Sequence, residues 1–295
     1  MHTITANSKI TLFDVPSSAG CLDQGTELLP RHFRKHGLVD RLSEIGFEIT
    51  DLGEVSVPAL QRHNTPPIRN YPLPKTVWEN TDAFIERHMV AHKDSLIFGL
   101  GGDCSIVVGA ISGLIRIYGT ENIHLLYLDG DVDSMAPDPD KCIGSAGMGL
   151  WLLTQESKFW NGNKLLPSQI MVIGNKKAPD ADVGIPFITL QRLREKGIKE
   201  TMKQVLSSIP DGTHIFVHFD VDILSEDEMP CAYVPRKEGL SVAEVETLLK
   251  SVLIDDRLDY FELTEFMPQK DPDGRFAKAL TEILARVFSG ITATL

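Results

Sequence analysis

Aspartates at alternate positions form two acidic motifs, each at the end of an apolar run. The first is Asp129-Gly130-Asp131-Val132-Asp133, which follows Ile123–Leu128. The second is Asp220-Val221-Asp222, with His218 two positions before its first aspartate. If the strand geometry persists through each motif, its side chains share one face, because side chains alternate along a strand. Crowded carboxylates need protons, basic side chains or metal ions, so two such motifs predict a site for a hard cation.

A glycine-rich segment, Gly101-Gly102-Asp103-Cys104-Ser105, joins a predicted strand to a predicted helix. Its spacing matches neither the dinucleotide-binding nor the P-loop fingerprint. We interpret the glycines as bringing Cys104 close to the aspartates, where a thiol at a helix N-terminus has a lowered pKa and can serve as a metal ligand. The alternative is a cysteine that is simply a small buried residue.

The elements that position these residues alternate between strands and helices. Apolar periodicity predicts strands at residues 10–15, 47–52, 95–100, 123–128, 169–173, 187–190, 213–222 and 258–264. Helices are predicted at residues 27–45, 76–92, 106–118, 191–206, 241–253 and 276–288, with a short helix opening at Ala146-Gly147-Met148. This order predicts one α/β domain over residues 1–295, with a mostly parallel sheet of about eight strands.

Ligands of such sheets bind beyond the carboxyl ends of the strands. Seven residues that could carry chemistry lie at or just past these ends and come from four separate strands. They are Cys104, Asp129, Asp131, Asp133, Asp220, Asp222 and Glu265.

Composition bounds the class of protein and its partners. The chain has 295 residues, 42% of them hydrophobic, and a net charge of −12, so we expect no nucleic-acid partner. We find neither a signal-peptide pattern nor a long apolar span and expect no membrane association. The four cysteines are widely spaced, which favours a reducing, cytoplasmic location over a disulfide framework.

The motifs resemble those of the ureohydrolase family, which includes arginase, agmatinase and formiminoglutamase. The family signatures G-G-D-H-S, D-A-H-x-D and D-x-D stand here as the glycine-rich segment and the two acidic motifs. A fourth signature, E-x-N-P, stands as Glu265-Phe266-Met267-Pro268. The resemblance covers nearly the whole chain in order and implies a three-layer α/β/α sandwich.

In the family, two bridged manganese ions hold a hydroxide that attacks a guanidinium carbon and releases urea. The resemblance implies two Mn²⁺ ions here, one held by Cys104, Asp129, Asp133 and Asp220, the other by Asp129, Asp131, Asp220 and Asp222. Asp133 would also orient the hydroxide, and Glu265 would pair with a small guanidino substrate, since that hydrogen bond is charge-assisted. Relatives that form trimers or hexamers make a homo-oligomer a further expectation.

Three departures from the family pattern lie at the predicted site. Cys104 and Asp131 replace ligand histidines, and Ala146 stands where arginases carry a proton-shuttling histidine. The cysteine and the alanine resemble a bacterial branch that includes hydroxyarginine hydrolases, but Asp131 departs even from that branch. Five carboxylates and a thiolate exceed the charge of two divalent ions, so we expect a retained proton or a nearby cation. His218 is the candidate cation or substitute proton shuttle, and a satisfied core histidine is the alternative.

Three functions are compatible with these residues. The first is a metal-dependent amidinohydrolase acting on a guanidino or N-hydroxyguanidino compound. The second is a pseudoenzyme that keeps the fold and binds a metabolite or a protein, although unneeded buried carboxylates would cost stability. The third is a single-metal amide hydrolase like the deacetylases of this fold, which need a histidine where Asp131 stands.

Overall fold

A computed structural model describes residues 9–176 and 183–292, with side chains described through residue 289. Over these residues the chain forms one eight-stranded sheet in which every neighbouring pair is parallel, in the order β2-β1-β3-β8-β7-β4-β5-β6. The strands are β1 (Lys9–Asp14), β2 (Glu48–Glu54), β3 (Leu96–Leu100), β4 (Ile123–Leu128), β5 (Ile170–Ile173), β6 (Phe187–Ile188), β7 (His214–Asp220) and β8 (Leu258–Thr264).

Helices cover both faces of this sheet. They are α1 (Leu29–Lys35), α2 (Leu38–Glu44), α3 (Leu73–Met89), α4 (Ile106–Tyr118), α5 (Gly149–Thr154), α6 (Leu190–Lys196), α7 (Ile198–Ser208), α8 (Val242–Leu253) and α9 (Arg275–Thr292). Buried side chains of α3, α4 and α5 form one apolar layer, and those of the other helices form a second. The predicted three-layer α/β/α architecture is therefore confirmed. Among the helices of the described ranges, none is both long and apolar enough to span a bilayer.

Two predicted helices are each broken by a glycine. The helix predicted at 27–45 forms α1 and α2, and Gly37 between them has φ 93°. The helix predicted at 191–206 forms α6 and α7, separated by Gly197 at φ 83°. Such φ values cannot continue a right-handed helix, and glycine adopts them without the steric cost of a Cβ.

The strand geometry does not persist through the two acidic motifs. β4 ends at Leu128, and β7 ends at Asp220, after which Val221–Ile223 form a 3₁₀ turn. The assumption that alternation places each set of carboxylates on one face is therefore wrong beyond these residues. The Asp131 amide donates to Asp129 Oδ1 at 2.5 Å, and the Asp222 amide donates to Asp220 Oδ1 at 2.7 Å. These local bonds bend the chain and bring the carboxylates together by turns.

Candidate metal centre and active site

The predicted site residues meet at the carboxyl ends of β3, β8, β7 and β4, which are consecutive in the sheet. A cavity of about 540 Å³ opens there. All seven strand-end residues line it, namely Cys104, Asp129, Asp131, Asp133, Asp220, Asp222 and Glu265. The sequence therefore predicted correctly which side chains converge.

Asp129, Asp220 and Cys104 form the buried centre of the cluster. The Cys104 thiol donates to Asp220 Oδ2 at 2.9 Å, and Asp129 is 1% exposed. Asp129 Oδ2 is buried, and none of the described residues donates a hydrogen bond to it. A buried carboxylate oxygen in that condition is costly, so it marks a position for a proton or a cation.

Arg236 neutralises the outer part of the cluster. Its Nη2 donates to Asp131 Oδ2, and its Nε donates to Asp222 Oδ2 at 3.1 Å. Burial alone would lower the pKa of Arg236, but the Asp222 and Asp131 carboxylates outweigh it and raise that pKa. Asp131, predicted to replace a ligand histidine, is thus the ion-pair partner of an arginine. Arg236 is therefore the cation that we expected near the excess negative charge of the five carboxylates and the thiolate.

Asp133 and Glu265 are both held in a left-handed backbone conformation, with φ 48° and 65°. Tyr127 donates its hydroxyl to Asp133 Oδ2 at 2.6 Å. The Cys104 amide donates to Glu265 Oε1 at 2.9 Å, and the Cys21 thiol lies 3.9 Å from the same oxygen. Non-glycine residues in this conformation store strain that is typical of functional sites, so both carboxylates are fixed in place at a cost.

His218 lies behind the cavity and is fully buried. Its Nδ1 is 2.5 Å from Glu262 Oε1, and its ring stacks on Tyr127 at 4.1 Å between centroids. On the other side of the ring, Nε2 is 3.4 Å from the Thr264 hydroxyl, which is itself 3.5 Å from Cys104 Sγ. The histidine is therefore a satisfied buried group that reaches the cluster from the sheet side.

The glycine-rich segment packs against the loop after β1. A Cβ on Gly102 would lie 1.7 Å from the Ser17 carbonyl oxygen, so only glycine allows this approach. Asp103 fastens the two segments, accepting from the Ser17 hydroxyl and the Gly20 amide, both at 3.1 Å. These contacts place Cys104 just before α4 and close to the aspartates, as predicted, while its role as a metal ligand stays a prediction.

Burial and mutual repulsion raise the pKa values of Asp129, Asp133 and Cys104. Burial, followed by the Asp133 charge, raises the pKa of Asp129 well above its ordinary value. Burial raises the pKa of Asp133 to about 7. Burial and the Asp220 carboxylate likewise raise the pKa of the Cys104 thiol, so the expectation of a lowered pKa is wrong. Burial, together with the surrounding carboxylates, outweighs the effect of the helix N-terminus on the pKa of this thiol.

The donor set fits a divalent metal. Ligand atoms of Cys104, Asp129 and His218 lie within 4.8 Å of one another, as do those of Asp129, Asp220 and Asp222. Asp129 belongs to both groups and carries the unpartnered oxygen. Carboxylate oxygens suit manganese or magnesium, whereas a thiolate and an imidazole extend the choice toward softer ions.

Three contributors to the site were not predicted from the sequence. Arg236 lies in the loop after the second acidic motif, and only the charge excess signalled that a cation was needed. Glu262 is part of β8, and the mostly apolar sequence of this strand did not identify it as a site residue. The available signal was its position three residues before Glu265. Cys21 reaches Glu265 from the loop after β1, and no local pattern indicated it.

Cys104 provides a direct test of metal coordination. We expect Cys104→Ser to weaken Mn²⁺ binding by about tenfold or more, because a hydroxyl is a poorer ligand than a thiolate. Cys104→His should preserve or raise the affinity, since imidazole is a common ligand at such positions. Isothermal titration with Mn²⁺ measures both, with Cys142→Ser at the cavity wall as the control. Equal affinities for wild type and Cys104→Ser would argue against coordination by this thiol.

Comparisons with known proteins agree with the geometry. The Arginase family model matches residues 8–289. Arginase from Staphylococcus aureus (strain COL) is 25% identical over 303 residues, covering 97% of this chain and 98% of its own. The structure of Bacillus caldovelox arginase aligns with a TM-score of 0.84 at 20% identity, over 95% of this chain and 98% of the other.

A third relative is Entamoeba histolytica arginase in complex with L-ornithine. Its structure aligns with a TM-score of 0.86 at 19% identity, over 96% of this chain and 99% of that chain. These structural likenesses establish the common fold, and the family match extends over nearly the whole sequence. The chain therefore belongs to the arginase family, whose members are hydrolases acting on C–N bonds of linear amidines.

Proposed function

We propose that the protein is a metal-dependent amidinohydrolase that cleaves a guanidino or N-hydroxyguanidino C–N bond and releases urea or hydroxyurea. The observation that carries this proposal is the placement of Glu265 in the same cavity as Asp129, Asp133 and Asp220. A carboxylate that can receive a substrate cation thereby faces a carboxylate cluster that can hold a metal.

The proposed metal is Mn²⁺, held by Asp129 and Asp220 together with Cys104 and Asp133, and by Asp131 and Asp222 if a second ion binds. A divalent metal supplies Lewis acidity at such a site and lowers the pKa of a coordinated water. A ring nitrogen of His218 lies within 4.8 Å of potential ligand atoms of Cys104 and Asp129. Because it is buried behind the cavity and bonded to Glu262, its proposed part is to position the cluster rather than to meet the substrate.

Glu265 is proposed to bind and orient the substrate cation. Its contacts with the Cys104 amide and the Cys21 thiol both involve Oε1, which keeps Oε2 available for a guanidinium N–H. A charge-assisted hydrogen bond of this kind is strong and directional. Asp133, fixed by the Tyr127 hydroxyl, is proposed to accept a proton from the attacking water.

The rim of the cavity indicates how the rest of the substrate is bound. Leu22, Met135 and Val234 line the cavity and are 56%, 38% and 42% exposed. Lys141 lies in the same lining and forms an ion pair with Asp138 at 3.1 Å. We therefore propose that an aliphatic chain separates the guanidino group from any polar end of the substrate.

An N-hydroxyguanidino compound is the preferred substrate in this proposal. Ala146 lines the cavity and offers no proton-transfer group. The departing amine is the same for both substrates, but an N-hydroxyguanidine is less basic than a guanidine, so its own nitrogens release a proton to that amine more readily. Loss of a shuttle residue should accordingly slow the reaction of a guanidine more than that of its N-hydroxy derivative.

The test is a substrate panel assayed for urea and hydroxyurea. Manganese-loaded protein is incubated with arginine, Nω-hydroxyarginine, agmatine and 4-guanidinobutyrate. Glu265→Gln should lower kcat/KM by roughly tenfold to a hundredfold, since a hydrogen bond to a charged group contributes about 1.5–3 kcal/mol. Glu44→Gln, at a side chain that is 66% exposed on α2, is the matched control. Equal product from wild type and Glu265→Gln with every compound would reject the proposal for this panel.

A binding protein without hydrolytic activity is the second candidate. The observation in its favour is that Arg236 occupies oxygen atoms of Asp131 and Asp222, two of the carboxylates expected to hold metal. Elemental analysis after purification with Mn²⁺ separates the candidates. Protein without metal and without product would favour this second function.

A further inference from the structure

Asp131 and Asp222, the outer carboxylates of the cluster, already form ion pairs with an arginine side chain. The guanidinium of Arg236 contacts Asp131 Oδ2 through Nη2 and Asp222 Oδ2 through Nε. The remaining oxygen of the second carboxylate, Asp222 Oδ1, accepts from the Gly130 amide at 3.0 Å. Of the oxygen atoms in these two carboxylates, three are therefore engaged by protein donors.

The inner carboxylates differ in this respect. Within the part of the chain that the structure describes, no donor contacts Asp129 Oδ2, and the donor to Asp220 Oδ2 is the soft thiol of Cys104. In the described residues, the two groups of potential ligand atoms within 4.8 Å both contain Asp129, and neither contains Asp131. One group includes Asp222, whose Oδ2 accepts from Arg236, but the residue common to both groups is Asp129, and in the described part of the chain the ion pairs of Arg236 are with Asp131 and Asp222. The space prepared for a metal thus centres on Asp129.

The position of Arg236 is built into the backbone. Its carbonyl accepts from the Glu226 amide at 2.6 Å, and it pairs with Ser225 in an isolated parallel bridge. The ends of the same loop are joined by a bridge between Leu224 and Leu240. The side chain is 26% exposed, so the ion pairs are partly shielded from water. An arginine anchored in this way is a fixed part of the site.

We propose that the Arg236 guanidinium takes the place of the second cation, so that the protein binds one divalent metal instead of two. A guanidinium and a divalent ion repel each other, and each carboxylate oxygen that Arg236 engages has one lone pair fewer to offer to a metal. The single metal is bound by Asp129 and Asp220, with Cys104 and neighbouring side chains completing the set. The inference rests on the proposed metal binding, but it concerns the number of ions and not the reaction.

The experiment measures metal stoichiometry and magnetic coupling without an activity assay. Wild type is saturated with Mn²⁺ and analysed for bound metal and by electron paramagnetic resonance. We expect about one Mn²⁺ per chain and the spectrum of an isolated ion, since a dinuclear site would bring two ions within about 4 Å. Arg236→Met keeps most of the side-chain volume without charge and should bind about two ions with a coupled spectrum. Arg236→Lys retains the charge and should remain at about one ion.

Arg41→Met is the matched control, because Arg41 also pairs with a carboxylate, Glu282, at 2.8 Å but is not part of the cavity lining. It should leave the stoichiometry unchanged. Two coupled ions in wild type would overturn the inference while leaving the proposed function intact. Wild type with one ion and Arg236→Met with one ion would overturn the role of Arg236. Wild type without any metal would overturn both proposals, and the wild-type result decides the ion number even if Arg236→Met fails to fold.

Discussion

Asp129→Asn is expected to raise the melting temperature of the metal-free protein and to abolish its stabilisation by Mn²⁺. Asp129 is buried, and the charges of Asp133, Asp222 and Asp220 oppose its ionisation. An amide of the same shape removes this repulsion and keeps the bond that Oδ1 accepts from the Asp131 amide. It also removes the unpartnered oxygen at which we place the metal.

The variant should therefore be more stable than wild type without metal, but it should gain no stability from Mn²⁺. General damage to the fold would instead lower the melting temperature under both conditions. Mn²⁺ at about 100 times its dissociation constant should stabilise wild type by about 2.7 kcal/mol and the variant by almost nothing. Product formation should fall by at least about a thousandfold, because metal assistance contributes several kcal/mol. Differential scanning fluorimetry with chelator and with Mn²⁺ measures the first effect. Asp23→Asn, at a side chain that is 70% exposed, is the control and should behave as wild type.

A lower melting temperature in chelator for Asp129→Asn would contradict the argument from charge repulsion. An unchanged Mn²⁺ shift would instead contradict the assignment of Asp129 as a ligand. Each result tests one part of the prediction, so the measurement remains informative if the other part fails.

Gly102→Ala is expected to destabilise the protein by about 3 kcal/mol or more, which is large for one methyl group. The added Cβ would lie 1.7 Å from the Ser17 carbonyl oxygen and 2.8 Å from its amide nitrogen. These are backbone atoms, so no side-chain rotation relieves the overlap. The Asp103 amide donates to the same Ser17 carbonyl at 3.0 Å, and this bond would be lost as the segments separate.

Gly212→Ala is the matched control for this substitution. Gly212 has φ 80°, and apart from its chain neighbours no atom of the described residues lies within 4 Å of the position that a Cβ would take there. The variant should therefore show only the backbone cost of about 1–2 kcal/mol. Urea denaturation of both variants gives the difference in free energy of unfolding. A smaller loss for Gly102→Ala than for Gly212→Ala would show that the loop after β1 can move away without cost.

The fold was predictable wherever apolar periodicity and turn signals agree. The bounds of β4 and β8 match the predicted strands residue for residue, and α8 follows Ser241, the first residue of the predicted helix, which caps it together with Glu244. The broken helices were not predicted, because periodicity continues across Gly37 and Gly197 while the backbone changes direction. A glycine inside a helical pattern was the available signal.

The sequence predicted which residues form the site better than it predicted the contacts between them. Strand ends and acidic spacing predicted that Asp129, Asp220 and Glu265 would converge. The pairing of Arg236 with Asp131 depends on how a loop is folded, which no local pattern in the sequence specifies. The raised pKa of Cys104 depends on the burial of its neighbours, which is a property of the assembled site.

The adjacency of β4 and β7 has a consequence for how occupancy of the site affects the molecule as a whole. Gly130 and Asp222 are bonded across this boundary although they lie 92 positions apart in the chain. Cys104 and Glu265, bonded across the cavity, are separated by 161 positions. A cation or substrate bound here would hold together parts of the polypeptide that are distant in sequence. Its binding energy therefore opposes opening of the whole sheet, and the protection would extend to amide hydrogen exchange in the central strands, far from any loop that touches the ligand.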